Sequence, residues 1–298
     1  MRFQIIYFSG TGGTKMVAEK LMNSIMLSGS ECSISDIVST DPSDVCSDVD
    51  MLIVMYPVYA GIAPKPMRDY LSGLPHLKTS AKAAVISISG GGDDPFNCGC
   101  RVGAIKTLYM KLYTVVYEDM VVMPSNWAYA TSAELIPQIF AVLDEKIRRI
   151  TNDLLDSRDA NSLAYDSIRP SFKKQAINML GKVAGKVGFP MLGKFYKAGS
   201  DCTGCGICAR HCPSSNIVMK DARPHFGWKC YLCMRCTYIC PEKAINAGPF
   251  NFMILDEGYD IQQLKNSPQI SNHDVSTDSY GKKIPWKSVV KYIEDLKE

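Results

Sequence analysis

Short apolar runs alternate with helical periods through the first half of this chain. Phe3 to Phe8, Met51 to Met55 and Ala83 to Ile88 are nearly unbroken apolar segments of strand length. A strand that is apolar at consecutive positions is covered on both faces, the condition of a parallel sheet. Strands are expected near residues 2–8, 32–38, 50–56, 82–89 and 114–123. Between them apolar residues return every three or four positions, as in Met16, Ala18, Leu21, Met22 and Ile25. Helices are expected near residues 14–27, 65–73, 100–112 and 132–155. This alternation predicts an α/β fold, a doubly wound five-stranded parallel sheet.

The pattern changes after residue 151. Asn152, Asp153, Asp156, Arg158, Asp159 and Asn161 make a polar linker or a fraying helix end. Pro170-Ser171 reads as a helix start, and Phe172, Ala176, Met179, Leu180, Val183 and Val187 follow at helical spacing. That stripe is expected to pack on the first domain. Lys174, Lys182 and Lys186 fall on the other side, and no acidic residue occurs from Ser167 through Ser200. A basic docking face for an acidic redox partner or anionic lipid is the sharper reading. Residues 188–193, rich in Gly with Pro190, read partly as loop. Residues 216–226 suggest a hairpin turning near Asp221. Residues 262–279 are polar and loop-like, and Pro285-Trp286 opens a last helix through Val289, Val290, Ile293 and Leu296. The expected divisions are a first domain over 1–160, a basic helical linker over 161–199, a cysteine-rich module over 200–249 and a tail over 250–298.

Three loops leave the C-terminal ends of predicted strands, where open α/β sheets bind ligands. The first is Ser9, Gly10, Thr11, Gly12, Gly13 and Thr14, ahead of a helix. Glycines let backbone amides converge on an anion, the hydroxyls add donors, and the helix N-terminus adds positive charge. A dinucleotide loop would want glycine where Lys15 stands, and no Gly-Lys-Ser/Thr triplet of a Walker loop occurs. The second loop is Tyr56, Pro57, Val58, Tyr59, Ala60 and Gly61; the third is Ser89, Gly90, Gly91 and Gly92. The set resembles flavodoxin, whose corresponding loops hold the FMN phosphate and sandwich the isoalloxazine ring. The resemblance covers residues 1 to about 130 and implies FMN in a flavodoxin-like domain. Tyr56 and Tyr59 are candidates for one ring face. The third loop offers no aromatic, so Phe96 or Trp127 fills the other face, or it stays open.

Eight of the twelve cysteines fall in two copies of one spacing. Cys202, Cys205, Cys208 and Cys212 precede Pro213; Cys230, Cys233, Cys236 and Cys240 precede Pro241. A zinc ribbon has no use for a third cysteine at this spacing, and a disulfide framework needs an oxidising compartment. The doubled run resembles a bacterial-type ferredoxin, a small α+β module with two 4Fe-4S clusters. On that resemblance Cys202, Cys205, Cys208 and Cys240 hold one cluster, and Cys230, Cys233, Cys236 and Cys212 the other. Trp228 would cover a cluster from water, or is plain core. Cys32 and Cys46 read as ordinary thiols, and so do Cys98 and Cys100, though that pair follows the third loop and a redox-active pair is its sharper reading, against the strain of a disulfide between cysteines one residue apart.

The whole chain resembles the flavodoxin–ferredoxin fusion proteins of anaerobes. That implies an electron-transfer flavoprotein working between FMN, two 4Fe-4S clusters and a redox partner: a ferredoxin-like carrier, a hydrogenase or a reductase. An FMN-dependent reductase of a small substrate or quinone, and a redox sensor or assembly partner without turnover, are the alternatives. Against a nicotinamide site, no second nucleotide fingerprint occurs. At 298 residues the chain accommodates one α/β core and a small module. A formal charge of +3 gives no argument for nucleic acid. No apolar run is long enough for a transmembrane segment, and eight metal-ligand cysteines imply a reducing cytoplasmic setting.

Overall fold

The computed structural model describes residues 1–45, 48–93, 97, 99–157, 172–266 and 286–298. The expectations on Cys46, Phe96, Cys98, Pro170, Ser171 and most of the polar tail lie outside them.

Five strands form one parallel sheet: β1 (Arg2–Tyr7), β2 (Glu31–Asp36), β3 (Met51–Pro57), β4 (Ala81–Ser89) and β5 (Tyr113–Val122). Their order is β2-β1-β3-β4-β5, and every pairing is parallel. The order reverses at β1, so the crevice between the ends of β1 and β3 is the topological switch point. The helices between strands are α1 (Gly13–Leu27), α2 (Lys65–Gly73) and α3 (Val102–Met110), and α4 (Leu135–Asp156) follows β5. α1 and α4 cover one face through Val17, Leu21, Leu143 and Ile150, against Ile5, Ile53 and Ile86. α2 and α3 cover the other through Met67, Leu71, Ile105 and Leu108, against Ile6, Val54 and Val85. Successive strand residues thus serve opposite cores, the physical content of the unbroken apolar runs.

α5 (Phe172–Val183) continues through a π-turn at Ala184–Gly188 into α6 (Phe189–Lys194), so residues 189–194 are helix rather than loop. The stripe expected to pack inward does not. Met179, Leu180, Val183 and Val187 are 55–70% exposed, and the helix meets the first domain through Gly181 and Gly185, both buried. A Cβ built on Gly181 would stand 2.3 Å from the Ala60 carbonyl. Glycine permits backbone contact at that distance, and this contact fixes the rotation of the helix against the pull of its apolar stripe.

The cysteine-rich module contains β6 (Lys197–Ala198), α7 (Ile207–Arg210), a hairpin of β7 (Ile217–Lys220) and β8 (Arg223–Phe226), α8 (Arg235–Tyr238) and β9 (Ile245–Asn246). The hairpin turns at Asp221 and Ala222, both at positive φ (48° and 56°), as a two-residue turn compatible with strand twist requires. Its core joins Tyr196, Ile217, Phe226, Leu232, Met234 and Ile245. The tail returns to the first domain. α9 (Ile261–Lys265), capped by the Asp260 carboxylate, makes residues 262–265 helix rather than loop and packs Ile261 beside the first core, and α10 (Lys287–Lys297) buries Val289, Val290, Ile293 and Leu296 against α4 and Val122. Full burial of such side chains contributes about 1.5–3 kcal/mol each, enough to hold an eleven-residue helix in place.

Candidate cofactor sites

The loop between β1 and α1 is built to receive an anion. Ser9 Oγ accepts the Gly12 N–H at 3.1 Å, closing the turn. Gly12 stands at φ 95°, a conformation that a side-chain-bearing residue rarely adopts. α1 has no side-chain cap and no acidic residue in its first turn. Its orphan amides and the positive end of its dipole are therefore left for a bound anion. Arg235 holds the loop from behind, donating to the carbonyls of Ser9 and, at 3.0 Å, Gly10. Asn126 Nδ2 donates to Thr11 Oγ1 at 2.7 Å, tying in the loop that follows β5.

Beyond this cradle lies a cleft of about 520 Å³, lined by Ser9, Gly10, Thr11, Gly13, Thr14, Pro57, Val58, Tyr59, Ala60, Gly61, Ser89, Gly90 and Gly91 among others. That volume is within the ~300–1,000 Å³ of small-molecule sites. Ala60 and Gly61 form a two-residue turn at φ 50° and 73°, closed by Tyr59 N–H to Ile62 O at 3.0 Å and Ile62 N–H to Tyr59 O at 3.2 Å. Ser89 Oγ accepts from Gly91 N–H and from Asn97 Nδ2, setting the third loop. Gly90 lies so close to Ser125 that a Cβ there would be 2.8 Å from Ser125 Cβ. An anion cradle that opens into a mainly apolar slot fits a phosphate tethered to a flat heteroaromatic ring, as in FMN.

Three expected residues lie elsewhere. Tyr56 is fully buried in the second core, its hydroxyl donating to the Cys100 carbonyl at 3.4 Å, because odd and even positions of β3 face opposite cores. Gly12 faces Ile261 on the outer side of the turn, and Gly92 faces Ser288. Trp127, 40% exposed, lines the cleft. Leu180, Gly181, Ala184 and Phe189 of α5–α6, Leu232 of the cysteine-rich module and Tyr259 of the tail line it too. Tyr259 donates to the Pro124 carbonyl at 3.0 Å, and burial raises its pKa. Nothing in the local pattern around Tyr259 or Leu180 marks them, since the tail and linker reach the cleft only through tertiary packing.

The eight cysteines form two sets that cross between the runs. Cys202, Cys205, Cys208 and Cys240 line one small cavity. In the other set, burial raises the Cys236 thiol, and Cys233, Cys230 and Cys212 raise it further. Burial likewise raises Cys208, with Cys240, Cys202 and Cys205 adding to it. Cys230 is pushed up to about 12 by burial, so a metal has to displace its proton. Among the described residues no three His, Cys, Asp or Glu converge on a single ion. Thiols that ring a space fit a cubane, whose irons each take one ligand at a different corner.

Backbone strain repeats with the sequence. The residues flanking the second cysteine of each run, Gly204 and Gly206 in one and Leu232 and Met234 in the other, all have positive φ. For Leu232 and Met234 this costs roughly 1–2 kcal/mol each, offset by burying both side chains. Trp228 does not close over the thiols. It is 61% exposed, with Lys194 Nζ 5.9 Å from its ring centroid. Cys32 is half buried, with burial pushing it up to about 12, and Cys100 is a core thiol.

The two sites share a wall. Cys233 is buried beside Gly10 and Tyr59: a Cβ on Gly10 would lie 2.5 Å from the Cys233 carbonyl, 2.5 Å from Tyr59 Oη and 3.2 Å from Cys233 Cβ. Cys205, in the other set, is exposed.

Residues 194–241 match the family model of the 4Fe-4S dicluster domain. Solved structures similar to the chain include a flavodoxin of Streptococcus pneumoniae TIGR4, at 18% identity and TM-score 0.41, over 52% of this chain and 99% of that one. Oxidised flavodoxin 1 of Bacillus cereus matches at 18% and 0.40, over 52% and 98%. An NADH:FMN oxidoreductase in its apo form matches at 16% and 0.38, over 57% and 96%. No curated protein matches the chain. The strand order and the cysteine-rich module together define a flavodoxin-like domain continuous with a 4Fe-4S dicluster domain. Among the described residues no helix is long and apolar enough to cross a membrane.

Proposed function

We propose that this chain is an electron-transfer iron–sulfur flavoprotein that binds FMN in the cleft and two 4Fe-4S clusters in the cysteine-rich module. The observation that carries the reading is the shared wall: Cys233 is buried against Gly10 of the anion cradle and Tyr59 of the cleft. When bound, FMN exchanges one or two electrons and each cluster one, so the pair joins two-electron to one-electron chemistry. The cradle of residues 9–14 anchors the phosphate, and the walls at 57–61, 89–91 and Trp127 exclude water from the ring. Cys212, Cys230, Cys233 and Cys236 hold the inner cluster beside that site. Cys202, Cys205, Cys208 and Cys240 hold the outer cluster near the surface, where exposed Cys205 gives a carrier access.

The partner this arrangement fits is an acidic redox protein such as a ferredoxin-like carrier, a hydrogenase or a reductase. The support is α5–α6, which borders the cleft and carries exposed Met179, Leu180 and Val183 beside exposed Lys182 and Lys186. Anaerobic reconstitution tests the reading. It expects about eight iron and one FMN per chain, from two cubanes and one cradle, and flavin reduction by a reduced ferredoxin that depends on the clusters. A protein that takes up only zinc, or no flavin, overturns it. Turnover of dyes or quinones with NAD(P)H would instead establish a reductase.

A further inference from the structure

We propose that Tyr59 couples the cleft to the inner cluster: its hydroxyl donates a hydrogen bond to a sulfur of the cluster held by Cys212, Cys230, Cys233 and Cys236. This raises that cluster's potential. The inference rests on the cluster reading above.

Tyr59 lines the cleft, yet its Oη is buried and has no hydrogen-bond partner among the described residues. Buried hydroxyls are nearly always paired, because leaving one unpaired forfeits the water it gave up. The residue is not held there by its hydroxyl. Its reciprocal backbone bonds with Ile62 and the turn at Ala60–Gly61 fix where the ring goes. That ring delivers the Oη to the spot beside Gly10 where Cys233 also arrives. The neighbouring cation, Arg235, cannot accept a bond, and it donates to the carbonyls of Ser9, Gly10 and His211. The Cys233 carbonyl beside Gly10 makes no hydrogen bond with this hydroxyl, and a sulfur of the inner cluster supplies the acceptor. Backbone amides already point at ligand sulfurs of the same set, among them Leu232 N–H at Cys230 Sγ and Asn216 N–H at Cys212 Sγ, both 3.3 Å. Tyr59 adds a donor that reaches from the cleft. Reduction adds negative charge to the cluster, so each donor to its sulfurs favours the reduced form.

The test uses Tyr59→Phe holoprotein with iron and flavin content matched to wild type; failure of the iron content itself would count against the cluster reading, not this one. Paramagnetic-resonance redox titration should show the inner cluster's potential lowered. At the wild-type midpoint the reduced-to-oxidised ratio should fall about tenfold, equivalent to about 59 mV for one electron. The outer cluster should not move. In deuterium-exchanged wild type, the reduced inner cluster should show an exchangeable coupling that Tyr59→Phe loses. An unchanged inner-cluster potential overturns the proposal. A tenfold loss of FMN affinity at unchanged potential also overturns it and assigns the hydroxyl to the phosphate. If the variant does not assemble its inner cluster, labelling the wild-type tyrosines decides: no coupling between a tyrosine hydroxyl and the inner cluster sinks the idea.

Discussion

Arg235 donates its Nε–H to the Gly10 carbonyl at 3.0 Å, across 225 residues of chain. The same guanidinium reaches His211 O, next to Cys212 of the first cysteine run. One side chain therefore braces the anion cradle and both cysteine runs. Arg235→Gln removes the charge and most of the fork. Hydrogen bonds to charged groups are worth about 1.5–3 kcal/mol, so FMN affinity should fall roughly tenfold or more. Arg235→Lys should recover only part of it, since an ammonium cannot span both carbonyls. Flavin fluorescence titration measures both.

Gly12 gives a cleaner test of the cradle. At φ 95°, with Ile261 Cγ2 3.0 Å from a built Cβ, Gly12→Val strains the turn that presents the α1 amides. FMN binding should weaken by about tenfold or more, while the iron content stays at the wild-type level. Equal FMN affinity in the two proteins would reduce this loop to an ordinary turn.

Ligand crossing has its own signature. Cys212→Ala should damage the cluster of Cys230, Cys233 and Cys236 and spare that of Cys202, Cys205 and Cys208, although Cys212 belongs to the latter's run. Paramagnetic resonance of the reduced variant shows which signal survives. Loss of the outer signal alone would reverse the assignment.

Lys182 and Lys186 are exposed on the helix that borders the cleft. Reversing both to Glu should slow association with an acidic carrier by about tenfold at low salt and much less at high salt, because steering is long-range and screened. Stopped-flow rates that match wild type at low salt would remove this face from the docking surface.

Tyr70 reports alkaline stability away from the cofactors. Its hydroxyl donates to Asp41 O at 3.2 Å, and burial raises its pKa to about 12 from a usual 10.0. A raised folded pKa contributes stability that is intact below the unfolded value and is lost as pH rises through the folded one. The advantage of wild type over Tyr70→Phe in melting temperature should therefore hold up to about pH 10 and shrink towards pH 12. A difference that stays constant across that range would show that Tyr70 keeps its ordinary pKa.

Much of this protein is local and was legible as sequence. The expected strand at 82–89 is observed at Ala81–Ser89, and the expected helix at 65–73 is Lys65–Gly73, because unbroken apolar runs and three-to-four-residue periods are properties of neighbouring residues. The doubled cysteine spacing declared its module for the same reason. Tertiary packing decided the rest. Tyr56 and Tyr59 look equivalent in the sequence, yet the pleat buries one in the core and the turn at Ala60–Gly61 brings the other to the cleft. The stripe of α5 faces water because Gly181 docks on Ala60 at backbone distance, and a period says which residues share a face but not which face is buried. Tyr259, Leu232 and Arg235 reach the first domain from more than a hundred residues away. Contacts at that separation leave no local pattern. Only the folded chain could put Cys233 against the wall of the cleft.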